Sequence, residues 1–332
     1  MPLWPVYTGT NEPHDGIAEL PPPPPWRAFD GGPALPAPDT SADTAAVSPD
    51  RTHRAATYRA TEETVQLVNA ALYLRRPLLV TGPPGTGKSS LVYAVARELK
   101  LGPVLRWNIT SRSTLHDGLY QYDPLSRLYA ARQATAPTGT GIEDHLRLGP
   151  LGTALLPHDR PRALLIDEID KSDLDLPNDL LNVLEEGQYE IPELIRAATV
   201  AQVMVDGGDR RVPVERGRVR CRAFPFVVLT SNGEREFPPA FLRRCVTLRL
   251  RQPDDDRLAD IVRAHFGEEP DAYARTLISR FLSRVGGGDL ATDQLLNAIY
   301  LARSSDLGAD SLDELAERLM PYLSEAQHTD AF

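Results

Sequence analysis

Three short stretches of the chain are apolar at every position: Leu78-Leu79-Val80, Ala163-Leu164-Leu165-Ile166 and Phe226-Val227-Val228-Leu229. A strand with no polar side is buried on both faces, so these are expected at the centre of a parallel sheet. Two other stretches, Val104 to Ile109 and Val246 to Leu250, alternate apolar and polar positions and suit the sheet edges. Helical spacing fills the intervals: Val65, Val68 and Leu72 after Thr61, then Leu91 to Leu99, then Leu180, Val183 and Leu184 after Pro177. Helices between strands predict an α/β three-layer core with a five-stranded, mainly parallel sheet.

From residue 254 onward only helical patterns occur. Leu258, Ile261, Val262 and Phe266 form one face, and Tyr273, Leu277, Phe281 and Leu282 a second. Leu295, Leu296, Ile299 and Tyr300 form a third, and Leu312, Leu315 and Leu319 a fourth. The expected division is a segment at 1–54, an α/β domain at 55–252 and a small all-helical domain at 253–332. The stretch 110–160 is long for a connection and is expected to carry one or two inserted helices. Residues 188–222 read as strands and turns.

Residues 1–54 differ in kind. Pro21 to Pro25 is unbroken, and Pro33, Pro36, Pro38 and Pro49 lie among small polar residues. Such a composition favours extended polyproline geometry and cannot form a core alone. Trp4, Tyr7 and Trp26 offer anchors, so the segment is expected to be disordered or docked on a neighbouring surface.

The chain of 332 residues has 42% hydrophobic and 25% charged residues, ordinary for a globular protein. Its net charge of −10 argues against non-specific attraction to nucleic acid or to a membrane. No apolar run approaches the ~20 residues that span a bilayer. Met1-Pro2-Leu3-Trp4 does not read as a signal peptide. Cys221 and Cys245 read as reduced thiols, which suits the cytoplasm, and no zinc-ligand spacing occurs.

The candidate chemistry sits at the ends of the three apolar runs. Gly82-Pro83-Pro84-Gly85-Thr86-Gly87-Lys88-Ser89, followed by Ser90, has the G-x-x-x-x-G-K-S spacing of a phosphate-binding loop between strand and helix. Residues without a Cβ let backbone N–H groups wrap a polyphosphate, and the following helix adds its positive dipole end. Lys88 suits the β and γ phosphates of a bound polyphosphate, and the Ser89 hydroxyl suits Mg²⁺. The second run ends in Asp167-Glu168, the third in Thr230-Ser231-Asn232. Ligands of open α/β sheets bind outside the carboxyl ends of the strands, so parallel neighbours would bring all three sets together. Asp167 then suits an outer position on Mg²⁺. Glu168 suits a base that polarises the attacking water, and Asn232 a group that orients it.

These segments resemble the Walker A, Walker B and sensor-1 motifs of AAA+ ATPases. Phe237-Pro238-Pro239-Ala240-Phe241-Leu242-Arg243-Arg244 resembles the segment that carries the arginine finger. Asn182-Val183-Leu184-Glu185-Glu186-Gly187 followed by Glu190-Ile191-Pro192-Glu193 is similar to the MoxR family. The resemblance spans about residues 55 to 320. It implies ATP hydrolysis at the interfaces of a ring, usually a hexamer, with Arg244, or else Arg243, reaching a neighbour's γ phosphate. It also implies a protein client, and some similar ATPases accompany von Willebrand factor A partners. One departure concerns the lid: Gly288 to Gln294, where a sensor-2 arginine is often found, contains no basic residue.

Arg216, Arg218, Arg220 and Arg222 alternate with other residues and would share one face of a strand. They fit a grip on a phosphate backbone or an acidic partner, or a solvated face paired with this chain's own carboxylates, and the negative net charge favours the last. The functional alternatives to partner remodelling are a nucleic-acid-acting motor and a nucleotide-gated scaffold with slow hydrolysis.

Overall fold

The computed structural model describes residues 5–36, 48–133, 141–197, 199–285 and 291–304. In chain order the strands are β1 (Leu78–Thr81), β2 (Leu105–Asn108), β3 (Tyr120–Tyr122), β4 (Leu146–Leu148), β5 (Ala163–Asp167), β6 (Gln188–Glu190), β7 (Val200–Met204), β8 (Arg211–Glu215), β9 (Arg218–Arg220), β10 (Phe226–Ser231) and β11 (Val246–Arg249). The helices are α1 (Pro49–Thr57), α2 (Glu62–Leu74), α3 (Lys88–Glu98), α4 (Leu115–Leu119), α5 (Pro124–Gln133), α6 (Pro150–Ala154), α7 (Leu176–Glu186), α8 (Pro192–Ala197), α9 (Pro239–Leu242), α10 (Asp255–Phe266), α11 (Ala272–Val285) and α12 (Thr292–Ser304).

The central sheet has five strands in the order β11-β1-β10-β5-β2. Every pairing in it is parallel. The three wholly apolar runs occupy the middle, and the alternating runs are the two edges, as their patterning requires. Side chains leave the central strands in alternation. Leu78 and Val80 enter the core formed with α2 and α3, whereas Leu79 enters the opposite core, where Leu180, Leu181 and Leu184 of α7 lie. Burial on both faces makes this a three-layer structure.

A second sheet, β3-β4-β7-β8-β9-β6, packs into the same core as α7. It corrects the expectation for 110–160. That stretch contains α4, α5 and α6, but also β3 and β4, which join the later hairpin β7–β8. Three-residue strands are too short to show a period of two, so their pattern was illegible. Residues 188–222 supply β6 to β9, with α8 among them.

Residues 5–36 lie against the α/β core as a strap. Val6, Tyr7 and Ile17 are buried in the α2–α3 core, and Leu35 in the α7 core, so the segment passes from one face of the sheet to the other. Apolar contact alone would not fix an irregular chain, whose backbone groups need partners. Two buried side chains provide them. Asn69 of α2 accepts from the amides of Val6 and Tyr7 at 2.8 and 2.9 Å and donates to the Tyr7 carbonyl at 2.7 Å. Glu98, fully buried at the end of α3, accepts from the Gly9 and Asn11 amides and from the Thr8 hydroxyl. Tyr7 is fully buried, whereas Trp26 is 77% exposed; Trp4 lies outside the described residues.

The helices α10, α11 and α12 close around their own core of Leu258, Val262, Leu277, Phe281, Leu295 and Ile299. The fourth helical pattern, at Leu312, Leu315 and Leu319, lies outside the described residues. No helix among the described residues is long and apolar enough to cross a membrane.

Two predictions follow from the strap and its seat. Glu98→Ala strands several buried donors, so a loss of about 2–4 kcal/mol is expected in denaturant unfolding, with Glu98→Gln losing less. His158, bridged to Leu35 of the strap, is buried, and burial, then Arg162 and Arg210, push its pKa down to about 4. The unfolded chain takes up this proton near pH 6.5. Stability is therefore expected to fall as the pH drops from 6.5 towards 4, by up to about 3 kcal/mol from this residue. Thermal melts of the wild type and His158→Phe across that range check it, the variant showing the shallower slope.

Candidate functional site

The chain between β1 and α3 turns through Gly82, Gly85 and Gly87, all at positive φ (151, 74 and 84°). Side chains would fail there for steric reasons too. A Cβ on Gly82 would lie 2.4 Å from the Leu250 carbonyl oxygen, and one on Gly85 2.6 Å from Ala291, at the start of the lid's third helix. The loop therefore presses against both β11's exit and α12. Thr86 closes it by donating its hydroxyl proton to the Pro83 carbonyl at 2.9 Å.

Lys88 starts α3 with its side chain folded back over the loop, and its ammonium donates to the carbonyls of Gly82 and Pro83, each at 2.8 Å. It is 8% exposed. Burial lowers its pKa, opposed by the charges of Asp170, Asp167 and Glu168. A desolvated cation at the mouth of a glycine turn and a helix N-terminus is a setting for polyphosphate.

Asp167 ends β5 and gathers three elements. Its Oδ1 accepts from the Ser89 hydroxyl and from the Thr230 hydroxyl, both at 2.7 Å. Its Oδ2 accepts from Arg106 of the edge strand β2 at 2.8 Å. Glu168 follows at φ 61°, a conformation uncommon outside glycine. It is fixed there by its own amide, which donates to the Thr230 hydroxyl at 2.9 Å. Its carboxylate pairs with Lys171 at 2.8 Å, and both groups remain half-exposed.

Asn232 lies just beyond β10. Its amide donates to Asp170 Oδ2 at 2.9 Å, and the Ser231 hydroxyl donates to the same oxygen. The buried Asp170 thus ties the end of β10 to the turn after β5. The Asn232 side chain donates to Glu234 at 3.4 Å.

These groups face one cleft of about 790 Å³ between the phosphate loop and the lid. Pro84 to Ser90, Asp167, Glu168, Thr230 and Asn232 line it on the core side, and Arg257, His265, Thr292 and Asp293 on the lid side. The structure therefore brings together the sequence-expected Lys88, Ser89, Ser90, Asp167, Glu168 and Asn232. It does not bring Arg243 or Arg244 to them. Both are exposed just before β11, whose Val246 is level with Leu78 at the start of β1. They thus sit at the opposite end of the strands from the phosphate loop.

Sequence reasoning passed over Arg106, Asp170 and the hydroxyl of Thr230. Arg106 carried a weak signal, a cation inside a strand expected at a sheet edge, but which central strand it would border was not readable. For Asp170 the signal was an acid three residues beyond Asp167. In the lid, Ala291 to Gln294 holds no basic residue, and the cation reaching the cleft from α10 is Arg257, which donates to the Arg59 carbonyl at 3.1 Å. Of the arginine stripe, Arg218 pairs with Glu190, Arg220 with Asp30 and Arg222 with Asp159, while Arg216 occupies the turn before β9 at φ 48°. Carboxylates of this chain thus pair with three of the four.

The chain matches the family model described as AAA domain (dynein-related subfamily) over residues 77–245. No curated protein matches it. The matched region runs from the entry to β1 to the entry to β11 and so contains the phosphate loop, Asp167-Glu168 and Asn232. The glycine loop at a helix start, the acidic end of β5 and this match agree, and the chain belongs to the dynein-related subfamily of AAA ATPase domains.

Proposed function

We propose that this protein is a MoxR-like AAA+ ATPase that hydrolyses ATP to ADP and phosphate and uses the cycle to remodel a protein partner. The observation that carries the reading is the meeting of Ser89, Asp167 and Thr230 within hydrogen-bond distance beneath the Lys88 loop. A hydroxyl and a carboxylate oxygen side by side form the hard-oxygen donor set that Mg²⁺ selects. Ser89 and Asp167 would hold the ion, directly or through water. Bound there, it would neutralise charge on the β and γ phosphates.

The residues of the chain then divide the work. Amides of Gly85 to Ser89 cradle the phosphates, and Lys88 leaves its carbonyl partners for the β and γ oxygens. Glu168 accepts the proton of the water that attacks the γ phosphorus, and the bond to the ADP oxygen breaks. Asn232 orients that water. Thr230 holds Asp167 and Glu168 in register. Arg244 and Arg243 lie too far from their own cleft to serve it, which supports a ring, usually a hexamer, in which one of them completes a neighbour's site.

A protein client, or a von Willebrand factor A partner, follows from the MoxR likeness in Asn182 to Glu193. The self-paired arginine stripe and the net charge of −10 weigh against a nucleic-acid motor. Two buried free thiols suit a cytoplasmic protein.

Two variants test the site. Glu168→Gln is expected to keep ATP bound while phosphate release falls at least a hundredfold, read by a coupled phosphate assay and by retention of labelled nucleotide; unchanged turnover contradicts the assignment. Thr230→Val deprives the Glu168 amide of its acceptor in a buried setting. It is expected to cost about 1–3 kcal/mol of stability and to lower kcat more than it raises KM for ATP.

A further inference from the structure

We propose that Glu185, backed by Arg27 of the N-terminal strap, is a positioning residue for Arg244; this rests on the reading of Arg244 as the group that completes a neighbour's site. Glu185 is the next-to-last residue of α7, and its two carboxylate oxygens face two different arginines. Oε1 lies 3.8 Å from Nε of Arg244, and Oε2 lies 3.5 Å from Nη1 of Arg27. One carboxylate thus links the strap to the exposed arginine.

The two arginines differ in freedom. Arg27 is 4% exposed, and its guanidinium is fully committed. Nη2 donates to the carbonyls of Arg75 and Leu184 at 2.7 and 3.1 Å, and Nη1 to the carbonyl of Glu185 at 3.2 Å. Nε donates to Arg75 as well, at 3.1 Å. The rings of Phe29 and Phe224, stacked on each other at 5.5 Å, lie beside it with centroids 5.1 and 4.7 Å from its Cζ. These carbonyls end α2 and α7, where the helix dipoles favour a cation. Arg27 is therefore a fixed charge that spans two layers of the core. Gly187, at φ 61°, leaves room for this arrangement, since a Cβ there would lie 2.5 Å from the Phe29 ring.

Arg244 is half-exposed and would otherwise sample many rotamers. Two contacts narrow its range: its Nη1 donates to the Ala240 carbonyl at 3.1 Å, and its Nε faces Glu185. The backbone beneath it is held too, because Arg76, next to the Arg75 carbonyl that Arg27 grips, donates to the Arg243 carbonyl at 3.0 Å. The strap thus steadies both the carboxylate and the backbone that direct Arg244. An exposed ion pair alone adds little to folding stability. Its effect belongs to catalysis, where a guanidinium must already point at the position of developing charge.

The test is a double-mutant cycle on the full-length chain, with ATP turnover and the Kd of a fluorescent ATP analogue measured for each variant. Arg244→Ala fixes the reference. Glu185→Gln is expected to lower kcat about tenfold with nucleotide Kd unchanged and thermal midpoint within a few degrees of wild type. Glu185→Asp should recover part of the loss, and Glu185→Gln in the Arg244→Ala background should add nothing. Arg27→Lys, which keeps the charge but loses the fork, should show a smaller fall in kcat. If Arg244→Ala leaves kcat unchanged, the reading of Arg244 fails and the inference with it. If Arg244→Ala removes turnover but Glu185→Gln matches or exceeds wild type, the positioning role alone is overturned. Losses in Glu185→Gln and Arg244→Ala that multiply overturn it equally.

Discussion

The carboxylate of Asp167 is the point on which the site depends. It is almost buried, and an isolated charge there would be costly. Three donors from three elements offset that cost: Ser89 from α3, Thr230 from β10 and Arg106 from β2. The parallel order β1-β10-β5-β2 makes this possible, because it brings the carboxyl ends of the strands to one edge. The same order explains why Glu168 can stand at an unfavourable φ. Its amide shares the Thr230 hydroxyl that Asp167 also uses, so one buried side chain sets both acids.

A second constraint acts from outside the matched domain. The strap is poor in regular structure and gains its order from the core's polar side chains. Asn69 and Glu98 give its amides acceptors, and Arg27 gives the ends of α2 and α7 a cation. Since α3 carries Lys88 at one end and Glu98 at the other, the strap is anchored to the helix that starts at the phosphate loop. Docking of the strap and order in the site are thus mechanically adjacent.

Much of the core was legible because its signals are local. Runs apolar on both sides gave the three central strands, alternation gave the two edges, and the glycine spacing gave the loop. Gly187 follows Glu186 and ends α7 in the left-handed conformation that suits glycine. What stayed hidden depends on contacts far apart in sequence. The strands β3 and β4 have three residues each and exist through pairing with each other and with β7. Nothing near Arg27 announces that its partners are the carbonyls of residues 75, 184 and 185. Arg75 itself ends α2 at positive φ without being glycine, so no stop signal was readable. The pairing of Arg218, Arg220 and Arg222 with Glu190, Asp30 and Asp159 likewise joins separate segments.

The central claim is that a working site is assembled from two copies, one giving Lys88, Asp167 and Glu168 and the other Arg244. Mixing two inactive variants tests it most directly. Arg244→Ala keeps the cleft but lacks the donated arginine, and Glu168→Gln keeps the arginine but lacks the base. Phosphate release from equimolar mixtures should rise well above either variant alone, since some interfaces then join an intact cleft to an intact Arg244. Mixtures that stay as inactive as their components at every ratio, while both variants bind ATP and co-assemble, would contradict the account.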